Sequence, residues 1–132
     1  MKLVNRGDPV ELKLIFQAAT WLLTLAFFSG LAMAIILFGT DKRAPFWIAK
    51  LHGYAATAAI TLLIFGQLNI GLSRFGLYGL LTLLFAASGG LVLNLGFSWR
   101  QQPLPQWLVF VHMSVAFVGF LMVGLAGLST TL

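Results

Sequence analysis

The sequence predicts an all-α membrane protein, a four-helix transmembrane bundle with up-down-up-down topology. Two observations lead to this prediction. The composition is 60% hydrophobic and only 8% charged, whereas about a quarter of the residues in soluble domains are charged. In addition, four apolar runs each reach the roughly 20 residues that a helix needs to cross a bilayer. We therefore expect a single transmembrane domain over residues 1–132.

The four spans are expected near residues 14–38, 46–70, 75–97 and 107–128. The first helix should begin before its span, because Asp8 is a candidate N-cap, Pro9 suits a first turn and Glu11 can close a capping box. The breaks between the spans are short and contain glycine or proline. Connections this short make neighbouring helices antiparallel, so both termini are expected on the same side of the membrane.

The sequence aligns with itself at an offset of 60 positions through a shared motif of proline, tryptophan, histidine and alanine. The aligned pairs are Pro45 and Pro105, Trp47 and Trp107, His52 and His112, and Ala56 and Ala116. The offset also reaches into the preceding helices, where Ala26 aligns with Ala86 and Gly30 with Gly90. We therefore predict two duplicated helical hairpins, near residues 9–70 and 71–130. A pseudo-twofold axis along the membrane normal would relate them and place the second and fourth helices at diagonal corners.

The only two histidines of the chain, His52 and His112, each follow a tryptophan of this motif by five residues. That is about 7.5 Å along a helix, so both histidines should lie at one depth. Paired imidazoles on diagonal helices are the arrangement that bis-histidine haem ligation requires. We predict one haem b per chain, with both histidines as metal ligands. For each histidine alone, the alternative is a hydrogen-bonded contact between helices.

Small residues in the first and third helices are expected close to the histidine depth, at Gly30 and at Gly89 and Gly90. They could admit the flat macrocycle of a haem, so we include them in the predicted cofactor site. The alternative is that they only allow close helix packing, as small residues do in membranes. Structural zinc is disfavoured, because the chain has no cysteine and the spans contain no carboxylate to complete a four-ligand set.

The eight Lys and Arg residues lie in or next to the gaps between the apolar runs. This is typical of anchors at the membrane interface, and nucleic acid is not expected as a partner. Lys50 and Arg100 lie on the predicted histidine side, where they could bind the haem propionates. For each of these two residues, an ordinary snorkelling anchor is the alternative.

Two segments carry a family resemblance, "KLHGYAATAAITLL" and "VFVHMSVAFVGFLM", each with a histidine near the start of an apolar helix. They resemble the four-helix membrane b-type cytochromes, namely the cytochrome b-561 superfamily and the cytochrome subunits of hydrogenases and formate dehydrogenases. The chain is also similar to one half of a haem A synthase. Either resemblance implies that His52 and His112 are axial haem ligands.

The chain differs from these families in two features, and each difference limits the function that the resemblance implies. Cytochrome b-561 proteins usually carry two haems, whereas this chain has histidines for one. A haem A synthase half usually has an arginine after its second-helix histidine and an acidic residue in its first helix. Here Gly53 follows His52, and the span 14–38 contains no acid. Synthase chemistry is therefore disfavoured.

We expect a membrane-embedded bis-histidine haem b electron-transfer protein or cytochrome subunit, in a prokaryotic inner membrane or an organellar membrane. Its partners would be the lipid bilayer, quinol and a redox protein docked near residues 41–50 and 98–105, and it could belong to a larger membrane complex. The alternative is a non-catalytic accessory or assembly subunit of such a complex, binding a pigment or haem structurally. A transporter is disfavoured, because no span contains Asp or Glu.

Overall fold

The computed structural model describes residues 9–129, which form four helices joined by short connections. Helix α1 is Pro9–Thr40, α2 is Phe46–Asn69, α3 is Arg74–Leu91 and α4 is Gln106–Ser129. Helix α3 continues directly into a π-helical stretch, Val92–Ser98, which we call the π segment. There is no strand anywhere in residues 9–129. The prediction of an all-α four-helix bundle is confirmed.

The helix boundaries agree with the predicted spans to within a residue or two, except at the start of α1. There the described helix already runs from Pro9, ahead of the span, with Glu11 close to this end. The proposed cap Asp8 lies outside the described residues, so the capping pattern stays a prediction. All four helices, with the π segment counted as part of the third, are long and apolar enough to cross a membrane. These dimensions support an integral membrane protein.

The π segment differs from the uniform α-helix expected for the third span. The backbone bond at its end joins residues five apart: the Trp99 N–H donates to the Asn94 carbonyl at 2.7 Å. The next bond, from the Gln102 N–H to the Phe97 carbonyl at 2.9 Å, closes the turn around Gln101. Bonds of this spacing define the wider π turn. None of the seven residues of the segment is buried, so no tight packing against another helix holds this stretch in the narrower α turn.

The helices pack as two hairpins that lie side by side. Hairpin 1 is α1 packed along α2, and hairpin 2 is α3 with its π segment packed along α4. Between the hairpins, α1 packs closely along α4, and α2 touches α3 more sparsely. Neither α1 with α3 nor α2 with α4 forms an extended interface. The second and fourth helices therefore occupy diagonal corners, as the 60-residue offset predicts; the duplication itself stays a prediction.

The buried core lies in the half of the bundle remote from the histidines. It is formed by Phe16, Ala19, Leu23, Ala59, Leu63, Leu80, Leu83, Val123 and Ala126. Close to the histidine level, the buried residues are mostly small, among them Ala26, Ser29, Ala55 and Ala86. Side chains of this size leave the centre of the bundle to the two imidazoles.

The connections at the histidine end are tied to one another by polar contacts. Arg43, between α1 and α2, donates to three acceptors between the end of the π segment and α4: the Ser98 carbonyl at 3.3 Å, Gln101 Oε1 at 2.9 Å and the Gln102 carbonyl at 2.5 Å. Gln106 Nε2 donates to Asp41 Oδ1 at 2.9 Å. Asp41 and Gln101, which are 60 positions apart, both have positive φ, at 54° and 57°. Both connections therefore contain a left-handed residue at aligned positions, and the two connections are bonded to each other.

Candidate functional site

Both histidines are anchored in the same way to the other helix of their own hairpin. Nδ1 of His52 lies 2.8 Å from the Ala26 carbonyl oxygen, and Nδ1 of His112 lies 2.9 Å from the Ala86 carbonyl oxygen. A carbonyl oxygen only accepts hydrogen bonds, so Nδ1 carries the ring hydrogen in each case. In the neutral imidazole this leaves Nε2 with a free lone pair. Both rings are thus held in one tautomer and one orientation.

The two imidazoles meet near the centre of the bundle, although they come from diagonal helices. The ring centroids of His52 and His112 are 6.2 Å apart, and the ring planes are inclined at 73°. Within residues 9–129, no protein group forms a hydrogen bond with either Nε2 atom. The bundle therefore presents two lone pairs from a half-buried pair of rings, and the structure brings together the two residues that the motif predicts.

The ring separation fits two imidazoles that share one metal ion. An imidazole nitrogen lies about 1.1 Å from its ring centroid and about 2.0–2.1 Å from a bound metal, so two trans imidazoles have centroids about 6.2–6.4 Å apart. The observed separation of 6.2 Å lies in this range, and it is also an ordinary separation for two rings in edge-to-face contact. Rotating a ring about its metal–nitrogen bond leaves the separation unchanged, so the 73° inclination is compatible as well. The residues present fit the axial ligation of a haem.

The anchoring carbonyls are a part of the site that the sequence analysis did not assign. Histidines that bind metals almost always donate their other ring N–H to a carboxylate, a carbonyl or water, which fixes the tautomer and makes the ligand more basic. Ala26 and Ala86 supply such carbonyls. In the sequence, only their alignment at the 60-residue offset distinguishes these two alanines from others. The alanine side chain itself has no group that binds a histidine. A backbone acceptor becomes visible only in the folded structure.

The predicted glycines lie against the imidazole rings. A Cβ added at Gly30 would lie 2.9 Å from His52 Cε1, and one at Gly90 would lie 3.2 Å from His112 Cε1. At Gly89 the nearest atom is His112 Nδ1, at an ordinary 3.7 Å. Gly30 and Gly90 therefore allow each ring to approach the neighbouring helix closely. Whether they also make room for a macrocycle stays a prediction.

The two predicted propionate-binding cations make no contact with the histidines in the described residues. Lys50 Nζ lies 4.4 Å from the ring centroid of Phe46, and both side chains are exposed. Because Lys50 is two residues from His52, about 200° around the helix, it points to the outside of the bundle. Arg100 borders a cavity on the outer side of the π segment. Their role at the propionates stays a prediction.

No group of three or more His, Cys, Asp or Glu side chains in residues 9–129 is arranged to hold a metal ion. A site ligated by protein side chains alone, such as a structural zinc, needs about four ligands and has no support in this part of the chain. Two imidazoles suit a metal whose other positions are already filled, as four are by the macrocycle in haem.

Comparison with family models, with curated proteins and with solved structures found no match to this chain. The resemblance to b-type cytochromes consequently rests on the two histidine motifs.

Proposed function

We propose that the chain is a membrane cytochrome that holds one haem b between α2 and α4 and passes single electrons. His52 and His112 are the axial ligands in this proposal. A bound haem supplies one-electron redox chemistry, while the protein supplies ligation, orientation and an apolar environment. The observation that carries the proposal is the 6.2 Å separation of the two imidazole centroids, with both Nδ1 atoms already engaged by backbone carbonyls.

The proposed ligation favours electron transfer over substrate chemistry. Two imidazoles occupy both axial positions and leave none open for a substrate or for oxygen. Their hydrogen bonds to Ala26 and Ala86 keep the rings from rotating and increase the basicity of Nε2. Because the ligands come from both hairpins, their position depends on helix packing and not on a mobile loop. A rigid ligand set keeps reorganisation small when an electron arrives or leaves.

The separation of the imidazoles also argues against two chlorin-type pigments, each bound by one histidine. Two stacked macrocycles in van der Waals contact, about 3.5 Å apart, would require imidazole centroids about 10 Å apart. The observed 6.2 Å is too short for such a pair. In an accessory subunit, the histidines would only join helices. Each ring would then use its Nδ1 alone, and Nε2 would bind nothing. That alternative predicts a purified protein without a redox cofactor.

The proposal extends to partners and location. The loops at the histidine end, around residues 41–50 and 98–105, would face quinol or a docked redox protein. We place the chain in a prokaryotic inner membrane or an organellar membrane, with both termini on the same side, alone or as a cytochrome subunit of a larger complex. The apolar surface of the four helices supports contact with lipid.

The test is the absorption and electron paramagnetic resonance spectra of the purified full-length protein and three variants. The wild type should show a reduced b-type band and a low-spin ferric signal. We expect His52→Ala and His112→Ala each to lose the low-spin signal, either through loss of haem or through conversion to a five-coordinate form. Gly53→Ala is the matched control, because a Cβ there meets no atom within 4 Å.

Two results would contradict the proposal. If the wild type folds well but binds no haem when haem is supplied during expression, the proposal of a cytochrome is wrong. The accessory role is then favoured. A His52→Ala protein with an unchanged low-spin haem would show that the two histidines do not share one metal.

A further inference from the structure

The π segment carries a shallow groove on the outer surface of hairpin 2. A cavity of about 300 Å³ is lined by Leu91, Val92, Leu95, Gly96 and Arg100. The first three side chains are 58%, 52% and 55% exposed. A Cβ added at Gly96 would meet only Val92 Cγ1, at 3.9 Å, so the position of Gly96 is open. The groove is thus an apolar surface in a membrane span with one guanidinium beside it.

The position of the groove along the helix is that of the lipid headgroups. Trp99, which directly precedes Arg100, is 79% exposed. Exposed tryptophans of membrane proteins concentrate at the interface, where the headgroups lie. Arg100 is therefore expected at phosphate level, with the apolar residues of the groove extending from it towards the hydrocarbon.

The charge of Arg100 is not neutralised by the described part of the chain. No acceptor for its guanidinium occurs in residues 9–129, whereas Arg43 has three acceptors. The only carboxylates in these residues are Glu11, at the start of α1, and Asp41. Asp41 accepts a hydrogen bond from Gln106. The guanidinium of Arg100 is therefore available to an anion from outside the chain.

Hairpin 1 lacks the elements of this groove at the equivalent positions. The corresponding part of α1 stays α-helical up to Thr40 and includes the buried residues Ala34 and Leu37. Thr40 stands where hairpin 2 has Arg100, and its hydroxyl donates to the Ile36 carbonyl at 2.6 Å. The groove therefore belongs to hairpin 2 and is not a general consequence of the repeated motif.

We propose that this groove binds one anionic phospholipid. The phosphate pairs with Arg100, since guanidinium and phosphate oxygens form paired, charge-assisted hydrogen bonds. An acyl chain lies along Leu91 and Leu95 and passes over Gly96. Charge complementarity selects the headgroup, and the wider π turn provides the apolar surface. The proposal does not depend on haem binding.

The test compares retention of phosphatidylglycerol and phosphatidylcholine by the detergent-solubilised full-length protein, measured by native mass spectrometry. We expect the wild type to retain phosphatidylglycerol in preference to phosphatidylcholine. In Arg100→Gln this ratio should fall about fivefold, the factor typical of one basic residue at an anionic surface. Gly96→Leu, which fills the groove, should weaken retention of both lipids. Arg74→Gln, at the start of α3, is the control and should behave like the wild type.

Arg100→Lys keeps the charge and should keep most of the preference, which guards against an Arg100→Gln variant that does not fold. An Arg100→Gln protein with the wild-type preference would overturn the proposal. The proposal would also be overturned if millimolar inorganic phosphate stabilised the wild type against unfolding as much as phosphatidylglycerol does. The groove would then be unnecessary for binding. The lipid proposal would also be overturned if Arg100→Gln lowered the haem midpoint potential and left lipid retention unchanged. That result would support the predicted role of Arg100 as a partner of the haem propionates.

Discussion

Hairpin 1 and hairpin 2 hold their histidines with the same contacts but fill the core with side chains of different size. At the site, positions 60 apart do the same thing: Ala26 and Ala86 accept the hydrogen bonds, and Gly30 and Gly90 lie against the rings. In the core, hairpin 2 has glycine at three positions where hairpin 1 has a larger residue. These pairs are Phe16 and Gly76, Ala19 and Gly79, and Ala59 and Gly119.

The pair Phe16 and Gly76 explains why the core differs between the hairpins. Phe16 is fully buried, and a Cβ at Gly76 would lie 2.7 Å from its Cζ. Equivalent positions thus meet inside the bundle, where two large side chains would collide and two small ones would leave a cavity. The proposed metal site requires matched ligands from both hairpins, whereas close packing between the hairpins requires one large and one small residue at positions that meet.

A second difference lies in the interfaces between the hairpins. On the α1–α4 side, Phe27 stacks near Phe117 and Phe120, with ring centroids 5.6 Å and 5.7 Å apart. On the α2–α3 side, the equivalent positions hold the smaller residues Ala87, Thr57 and Ile60, and the packing is sparser. Among the described residues, pairs of phenylalanine rings therefore join the hairpins on the α1–α4 side.

The largest expected effect comes from removing the size difference in the core. Gly76→Ala places a methyl group against the Phe16 ring and should destabilise the protein by about 1–3 kcal/mol, the usual cost of overpacking. Reversible unfolding in detergent measures this change. Gly124→Ala is the control, since a Cβ there meets no atom within 4 Å, and alanine suits a helix better than glycine.

A second-site change sharpens the same comparison. Phe16→Leu should destabilise the wild type by opening a cavity, yet recover part of the stability in the Gly76→Ala background, because the smaller side chain relieves the collision. Strictly additive losses in the double variant would show that the two positions do not share one space.

The next effect tests how alike the two halves of the site are. Gly30→Ala brings a methyl group to 2.9 Å from His52 Cε1, and Gly90→Ala brings one to 3.2 Å from His112 Cε1. Under the proposed function, Gly30→Ala should weaken haem binding about tenfold, as changes around ligating histidines do, and Gly90→Ala less. Haem titration of the purified protein gives both values. Gly89→Ala, with its nearest atom at 3.7 Å, should bind haem like the wild type.

The smallest expected effect concerns the contacts between the two connections. Arg43→Gln removes the guanidinium that donates to the Ser98 and Gln102 carbonyls and to Gln101. These bonds are exposed or half-buried, so their loss should cost about 1 kcal/mol in all. A thermal unfolding midpoint equal to that of the wild type would mean that the Arg43 contacts do not help to join the hairpins. Lys42→Gln removes a neighbouring charge and serves as the control.

The transmembrane helices and the histidine pair followed from the sequence for local reasons. A chain that crosses hydrocarbon must satisfy every backbone hydrogen bond within its own helix, so length and apolarity are enough to locate a span. The extension of α1 ahead of its apolar span could be predicted because the signals around Pro9 and Glu11 act within one turn. The pairing of His52 with His112 could be predicted because a repeated motif puts equal residues at equal depth.

Helix rotation and close packing, in contrast, were decided only by the tertiary structure. Whether Lys50 points inward or rests on Phe46, and whether Gly30 lies against an imidazole, depends on how each helix is turned about its axis. That rotation is set by side chains from other helices, with Phe16 over Gly76 the clearest case. The π segment belongs to the same class, because the helix widens where no neighbour buries it. The 6.2 Å separation of the imidazole centroids results from all of these contacts together. It cannot be predicted from any single stretch of the sequence.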